Sequence, residues 1–279
     1  MTSPAIAQPE AQGPCALALR RMWGLALRHY YLHAGSWPRL IEMLYWPIVN
    51  MATWGFTSSY LVKKFTDTAF ATGALIASVI LVEVLVRVST TMLMLFMEEV
   101  WSRNLGHLFA SPIRFREFVA GTFFTCLVRT IIALTPAVIL AKYLFGYSIF
   151  DLGWNLAAYA GLLVLNGCWY GMLIIALLLR FGMAAEWVAW MCTWLLIPFI
   201  APYYPVSTLP HALQMLSYSL PATYVFECVK AQFAQVPMPP DNLLIALGLN
   251  VLYFILAGVV FWRAYQGARE RGGLLQVGE

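Results

Sequence analysis

Charge is what this sequence has least of. Only 11% of its 279 residues are charged and 61% are hydrophobic, where a soluble domain carries about 25% charged residues. The 17 lysines and arginines and 13 aspartates and glutamates are too few to cover a globular surface. That excludes a water-soluble enzyme, and equally a disordered or fibrous chain. The remaining solvent is lipid. A hydrocarbon core takes about 20 apolar residues as a helix, so the chain can cross a membrane roughly six times and still have loops. The net charge of +4 is too small for a nucleic-acid surface and reads as a bias of positive charge toward one side.

Paired cysteines are also missing. Cys15, Cys126, Cys168, Cys192 and Cys228 are scattered, with no CxxC, and His29, His33, His107 and His211 form no HxxxH or HExxH. Neither a disulfide framework nor a metal site is expected, and cysteines in apolar runs act as small hydrophobes. No GxxxxGK[ST] phosphate loop is present, so the chain cannot hydrolyse ATP by that chemistry. An integral membrane enzyme would need clustered acids or a GxSxG-like nucleophile. Asp67, Asp151 and Asp241 are instead isolated at loop ends, where capping suffices. Residues 40–140 and 152–262 show no repeat of the kind expected of a stand-alone carrier, which stays the alternative reading.

Residues 1–15 are polar and rich in Pro, Gln and Ala, as in a disordered cytoplasmic N-terminus. A secretory signal would begin basic and turn apolar at once. Here Arg20, Arg21 and Arg28 come late, interleaved with Leu19, Met22, Trp23, Leu27, Tyr30 and Tyr31. Residues 16–36 therefore read as an amphipathic helix lying in the membrane interface.

Cutting the apolar runs at charges, Pro and Gly gives six spans: Leu40 to Leu61, Phe70 to Met97, Phe118 to Leu140, Leu152 to Leu179, Trp187 to Ile200 and Leu243 to Trp262. With the N-terminus inside, the inner segments hold Arg20, Arg21, Arg28, Arg39, Arg103, Arg114, Arg116, Arg180, Arg263, Arg269 and Arg271. The outer ones hold only Lys63, Lys64, Lys142 and Lys230. Both termini are thus expected in the cytoplasm, with residues 264–279 as a cytoplasmic tail.

Glu83, Arg87 and Arg129 fall within spans. A lone charge at mid-membrane costs about 2.5–3.5 kcal/mol on insertion scales, so each should be paired or face a wet interior. Glu83 and Arg87 share a helix face. Glu83 and Arg129 have similar depth on neighbouring antiparallel spans, so a Glu83–Arg129 or a Glu83–Arg87 pair is expected. A role in the translocation path is the functional alternative.

Two segments break the hydrophobic pattern. Residues 98–121 begin with Glu98-Glu99, which reads as a helix start where the dipole favours acids. They continue through Trp101, Leu105 and Leu108-Phe109 at helical spacing and break at Ser111-Pro112. A short amphipathic helix there could receive a push from a cytoplasmic partner, and a passive connecting loop fits the composition equally. Residues 198–241 are chopped by Pro198, Pro202, Pro205, Pro210 and Pro221 into short apolar pieces. That suggests outward-facing re-entrant helices, since irregular backbone at membrane depth must be buried or face water.

At these two segments the chain resembles the membrane subunit of type-2 ABC exporters, the ABC type-2 permease family. The matching features are Glu98-Glu99, Asn104-Leu105 and Ser111-Pro112, then Tyr204-Pro205, Leu209-Pro210 and Leu220-Pro221. The likeness runs from about Trp23 to Trp262. It implies an all-α integral membrane fold: an interfacial helix and six transmembrane helices over 37–263. A coupling helix would lie at about 98–112, and an outer re-entrant region at about 201–224 would form the gate with Tyr204, Pro205, Leu209, Pro210, Leu220 and Pro221. The implied function is a permease subunit in a bacterial inner membrane, working as a homodimer. Two copies of a separate ATP-binding subunit would hold ATP and Mg. This chain would bind no cofactor, no metal and no nucleic acid. Glu98, Glu99, Arg103 and Leu105 would contact that partner, supported by Arg20, Arg21 and Arg28. Trp46, Asn50, Trp54, Asn166 and Tyr170 are candidates for a cavity that suits an amphipathic or lipid-like compound, such as a drug, lipid, glycolipid or polysaccharide.

Overall fold

A computed structural model of the chain describes residue 17, residues 20, 21, 23, 24, 27, 28, 31, 35–64, 69–102, 115–237 and 241–270. Among them there is no strand. The helices are α1 (Trp37–Lys64), α2 (Ala69–Trp101), α3 (Phe115–Phe145), α4 (Asn155–Phe181), α5 (Glu186–Leu195), α6 (Ile197–Ile200), α7 (His211–Ser219), α8 (Pro221–Phe233) and α9 (Asn242–Glu270). Short 3-10 turns at Ile149–Leu152, Met183–Ala185 and Val206–Thr208 link them.

Among the described residues five stretches are long and apolar enough to cross a membrane: Gly73–Trp101, Val119–Phe145, Asn155–Phe181, Met183–Ile200 and Asn242–Glu270. The protein is therefore an all-helical, multi-pass membrane protein. The first expected span is a helix too, and its 28 residues suffice in length. It falls short in apolarity, because Pro47, Asn50 and a run of hydroxyls interrupt it. Those hydroxyls fold back on the helix: Thr53, Thr57 and Ser59 donate to the carbonyls of Val49, Thr53 and Gly55 at 2.8–2.9 Å. Such bonding satisfies them without water.

The helix α2 is the axis of the molecule. In its most apolar stretch 83% is buried, against 17% for α9. It packs against α1, α3, α4, α5 and α8, while α4 also carries α9. The helices α2 and α4 approach closely. A Cβ on Gly167 would lie 2.7 Å from the Val88 Cβ and 2.8 Å from the Leu85 carbonyl, and one on Gly171 would meet Met92 at 3.1 Å. Glycines spaced by four on one helix face let two backbones come together where lipid gives no hydrophobic drive. Ser89 uses the contact to donate to the Gly167 carbonyl at 3.2 Å.

Several boundaries differ from the sequence reading. The helix α2 continues through Glu98 and Glu99, which occupy its last turn rather than a helix start. The C-terminal end of the dipole disfavours acids, so these two need cations, and they have them (below). The helix α9 runs to Glu270, so part of the expected tail is helical. The fifth span is broken at Leu196 into α5 and α6, ahead of Pro198. Most of the expected coupling helix (103–112) lies outside the described residues.

Replacing Gly167 by Ala should push α2 from α4 and cost about 1–3 kcal/mol, the range for overpacking. Gly248→Ala, where an added Cβ meets nothing, should be neutral or slightly stabilising. Thermal unfolding of both variants in detergent distinguishes the two.

Candidate functional site

Arginines of the N-terminal segment reach two neighbouring helix ends. Leu17, Arg20, Arg21, Trp23, Gly24, Leu27, Arg28 and Tyr31 are helical. Arg28 Nη1 donates to Glu99 Oε1 at 2.5 Å, and the Glu99 side chain is fully buried. Arg21 Nη1 sits 3.2 Å from both oxygens of Glu117 in the first turn of α3. Arg129 Nη2 lies 3.5 Å from Glu98 Oε2, both nearly buried. Three ion pairs thus lock the N-terminal segment, the end of α2 and the start of α3 together. Glu98 and Glu99 are turned inward; Arg20 is exposed. Arg103 and Leu105 lie outside the described residues.

Arg129 does not meet Glu83, one of the two pairings the sequence allowed. Helical side chains lean toward their own N-terminus. On antiparallel helices Glu83 and Arg129 therefore lean apart, and Arg129 extends its long stem toward the arginine-rich end, where Glu98 waits.

Glu83 pairs within its own helix. Arg87 Nη2 is 3.6 Å from Glu83 Oε2, and Asn50 of α1 donates to Glu83 Oε1 at 2.6 Å. Glu83 Oε2 and Arg87 Nε are buried without a hydrogen-bond partner. One turn beyond Asn50, Trp54 stacks on Tyr203, with ring centroids 4.4 Å apart. Tyr203 belongs to the irregular stretch after α6. Two of the expected cavity residues, the intramembrane pair and the 201–224 segment therefore converge on one buried polar cluster.

The other cavity candidates are elsewhere. Trp46 is half exposed and packs edge-on against Tyr45. Asn166 is buried in α4 with its side-chain oxygen unpartnered. The Tyr170 hydroxyl donates to the Cys192 carbonyl and ties α4 to α5.

In the 201–224 segment the prolines act as punctuation. Pro210 precedes α7 and Pro221 opens α8, positions where a missing N–H costs nothing. Tyr204 donates to the Pro198 carbonyl at 2.6 Å. Leu209 accepts from Gln214 at 2.8 Å through its carbonyl, and Pro205 is exposed. Leu220 and Pro221 are buried, as are Ala222, Val225, Phe226 and Val229 of α8. The helix α8 is thus core, packed on α2 and α9, and not a loose cap.

One residue the sequence reading left among the outer charges proves central to this end. Lys230 Nζ donates at 2.8 Å to the carbonyls of both Ala201 and Tyr204. Ala201 has a left-handed backbone, φ 44°, unusual for a residue with a Cβ. Burial pulls the Lys230 amine down to about 8, opposed by the Glu227 carboxylate. The one signal in the sequence is a lone lysine in a run that is otherwise mostly uncharged.

Breaking the Arg28–Glu99 pair with Arg28→Gln should cost on the order of 2 kcal/mol. That is below the roughly 3–5 kcal/mol of a fully buried pair, because a third of the Arg28 side chain is exposed. Limited proteolysis of the N-terminal segment reports it.

For Lys230 the folded amine releases its proton below the unfolded value of 10.5. The unfolded chain then binds more protons above about pH 8, and stability rises with pH through that window. The melting-temperature difference between wild type and Lys230→Met should accordingly change in favour of the wild type between about pH 8 and 10.5. A difference flat with pH would contradict it.

No protein-family model matches the chain, and no curated protein matches it, so function is argued from this arrangement of residues.

Proposed function

We propose that the chain is the membrane-spanning subunit of an ATP-driven exporter of the ABC type-2 permease kind. With a second copy it forms the path for an amphipathic or lipid-like substrate across a bacterial inner membrane. In this reading α1 also crosses the membrane and brings the spans to six, the arginine-rich end is cytoplasmic, and ATP and Mg belong to a separate ATP-binding subunit.

The observation that carries the reading is the ionic lock at the arginine-rich end. Arg28–Glu99 and Arg21–Glu117 fasten the N-terminal segment to the end of α2 and the start of α3. A push on the 103–114 connection from a partner is delivered to a rigid unit rather than a hinge. Because α2 contacts α1, α3, α4, α5 and α8, that push passes directly to five helices and to α9 through α4 and α8. The positive-inside count supports the orientation, and the missing phosphate loop supports a separate ATPase. Glu98 and Glu99 act in this reading by holding Arg129 and Arg28, while the surface offered to the partner falls to the exposed residues around them, Trp101 and Arg20 among them.

The buried cluster of Asn50, Glu83 and Arg87 favours one second reading, a carrier working alone with Glu83 as its coupling group. One experiment separates the two. The tagged chain, purified in mild detergent from its host, should bring down a stoichiometric ATP-binding subunit with vanadate-sensitive ATP hydrolysis. A chain that emerges alone and silent toward ATP overturns the exporter reading and leaves Glu83→Gln as the next variant to assay for transport.

A further inference from the structure

Between α3 and α9 the membrane-facing surface is not closed. The two helices make at most marginal contact with each other, while α3 packs on α2 and α9 packs on α4. The gap is a cavity of about 460 Å³ lined by Met92 of α2, Ala120 and Phe123 of α3, Cys168 and Met172 of α4, and Gly258 of α9, with other apolar neighbours. That volume lies within the range of small-molecule pockets, about 300–1,000 Å³. Every lining residue is apolar, and every one lies within a stretch apolar enough to cross a membrane. The medium at its mouth is therefore hydrocarbon.

Its position along the helices is asymmetric. Phe254, Gly258 and Phe261 line it 9 to 16 residues before the end of α9, and Val119 lines it 4 residues after the start of α3. It thus lies in the half of the bundle nearest the arginines. Two of the three helices that contribute most to its walls carry exposed cations in this half of the bundle: Arg180 on α4, and Arg263 and Arg269 on α9. A hydrocarbon slot in the half of the bundle that carries these guanidinium groups is complementary to a lipid with an anionic phosphate headgroup, since Arg binds phosphate through paired N–H donors.

We propose that this groove holds one acyl chain of an anionic phospholipid, with its headgroup toward the arginine-rich end of the bundle. The site is built from four helices of a single chain, and it is separate from the Asn50–Glu83–Arg87 cluster. The sulfur atoms of Met92, Cys168 and Met172 give it a soft, adaptable lining that suits a flexible chain.

Gly258 supplies the test. A Cβ added there meets nothing within 4 Å, so Gly258→Phe fills the groove without moving the helices. Gly248 on the same helix is equally open but does not line the groove, and Gly248→Phe is the matched control. The delipidated full chain is titrated with phosphatidylglycerol or phosphatidylcholine and weighed by native mass spectrometry. The wild type and Gly248→Phe should retain one phosphatidylglycerol per chain and release phosphatidylcholine. Gly258→Phe should bind at least about tenfold more weakly, for the loss of a few close-packed chain contacts. Equal retention by Gly258→Phe, equal retention of phosphatidylcholine, or no lipid on the wild type would each overturn the assignment. A change of oligomeric state in Gly258→Phe with lipid binding intact would do the same, and would name a second copy of the chain as the occupant.

Discussion

The helix α2 carries four charged side chains through the most buried position in the molecule, and each must be answered from outside or along the helix. Glu83 is met by Arg87 one turn on and by Asn50 of α1; Glu98 by Arg129 of α3; Glu99 by Arg28 of the N-terminal segment. An uncompensated charge in this environment costs several kcal/mol, so the partners cannot drift. Their placement fixes which helices neighbour α2 and in what register. Elsewhere on α2, around Leu85, Val88 and Met92, glycines of α4 let the two helices come together. Apolar packing alone does not distinguish one lipid-facing helix from another. Charge compensation and small-residue contact do.

The two ends of the bundle are held by different means. At the arginine-rich end the ties are ionic and join segments distant in sequence, 96 residues apart for Arg21 and Glu117. At the other end they run from side chains to backbone. Lys230 holds the Ala201 and Tyr204 carbonyls, Gln232 the Leu152 carbonyl, Tyr253 the Ser219 carbonyl and Tyr224 the Tyr218 carbonyl. The difference follows from the chain. Prolines at 202, 205, 210 and 221 remove N–H groups and leave carbonyls unsatisfied by helix, so donors must come from elsewhere, and long polar side chains on α8 and α9 provide them.

Much of this was legible in the sequence. The all-helical membrane class followed from the scarcity of charge, and the spans from the apolar runs, because both depend on composition over 20 residues or more. What depended on direction was less readable. The sequence gives the depth of Glu83 and Arg129 but not the lean of their side chains, which sends Arg129 to Glu98. It shows two adjacent acids at 98 and 99 but not that α2 continues through them, since the cations that permit acids at a helix C-terminus stand at positions 28 and 129. Asn50 and Trp54 were singled out as aromatic and amide residues in a span and do face the polar cluster, whereas Asn166 and Tyr170, chosen on the same grounds, serve α4 and its contact with α5. Residue type marks a candidate, and the helix face decides its use.

The buried cluster and the ionic lock lie on one helix, and that has a mechanical consequence. From Glu83 to Glu99 α2 has no proline, and its only breaks in apolarity are the charged groups themselves and a few hydroxyls bonded back to the helix. A helix of that kind transmits displacement without bending. Any force that shifts the Arg28–Glu99 pair moves Glu83 against Asn50, and through the Trp54–Tyr203 stack it reaches the segment beyond α6. Glu83 Oε2 and Arg87 Nε have no hydrogen-bond partner in the present arrangement.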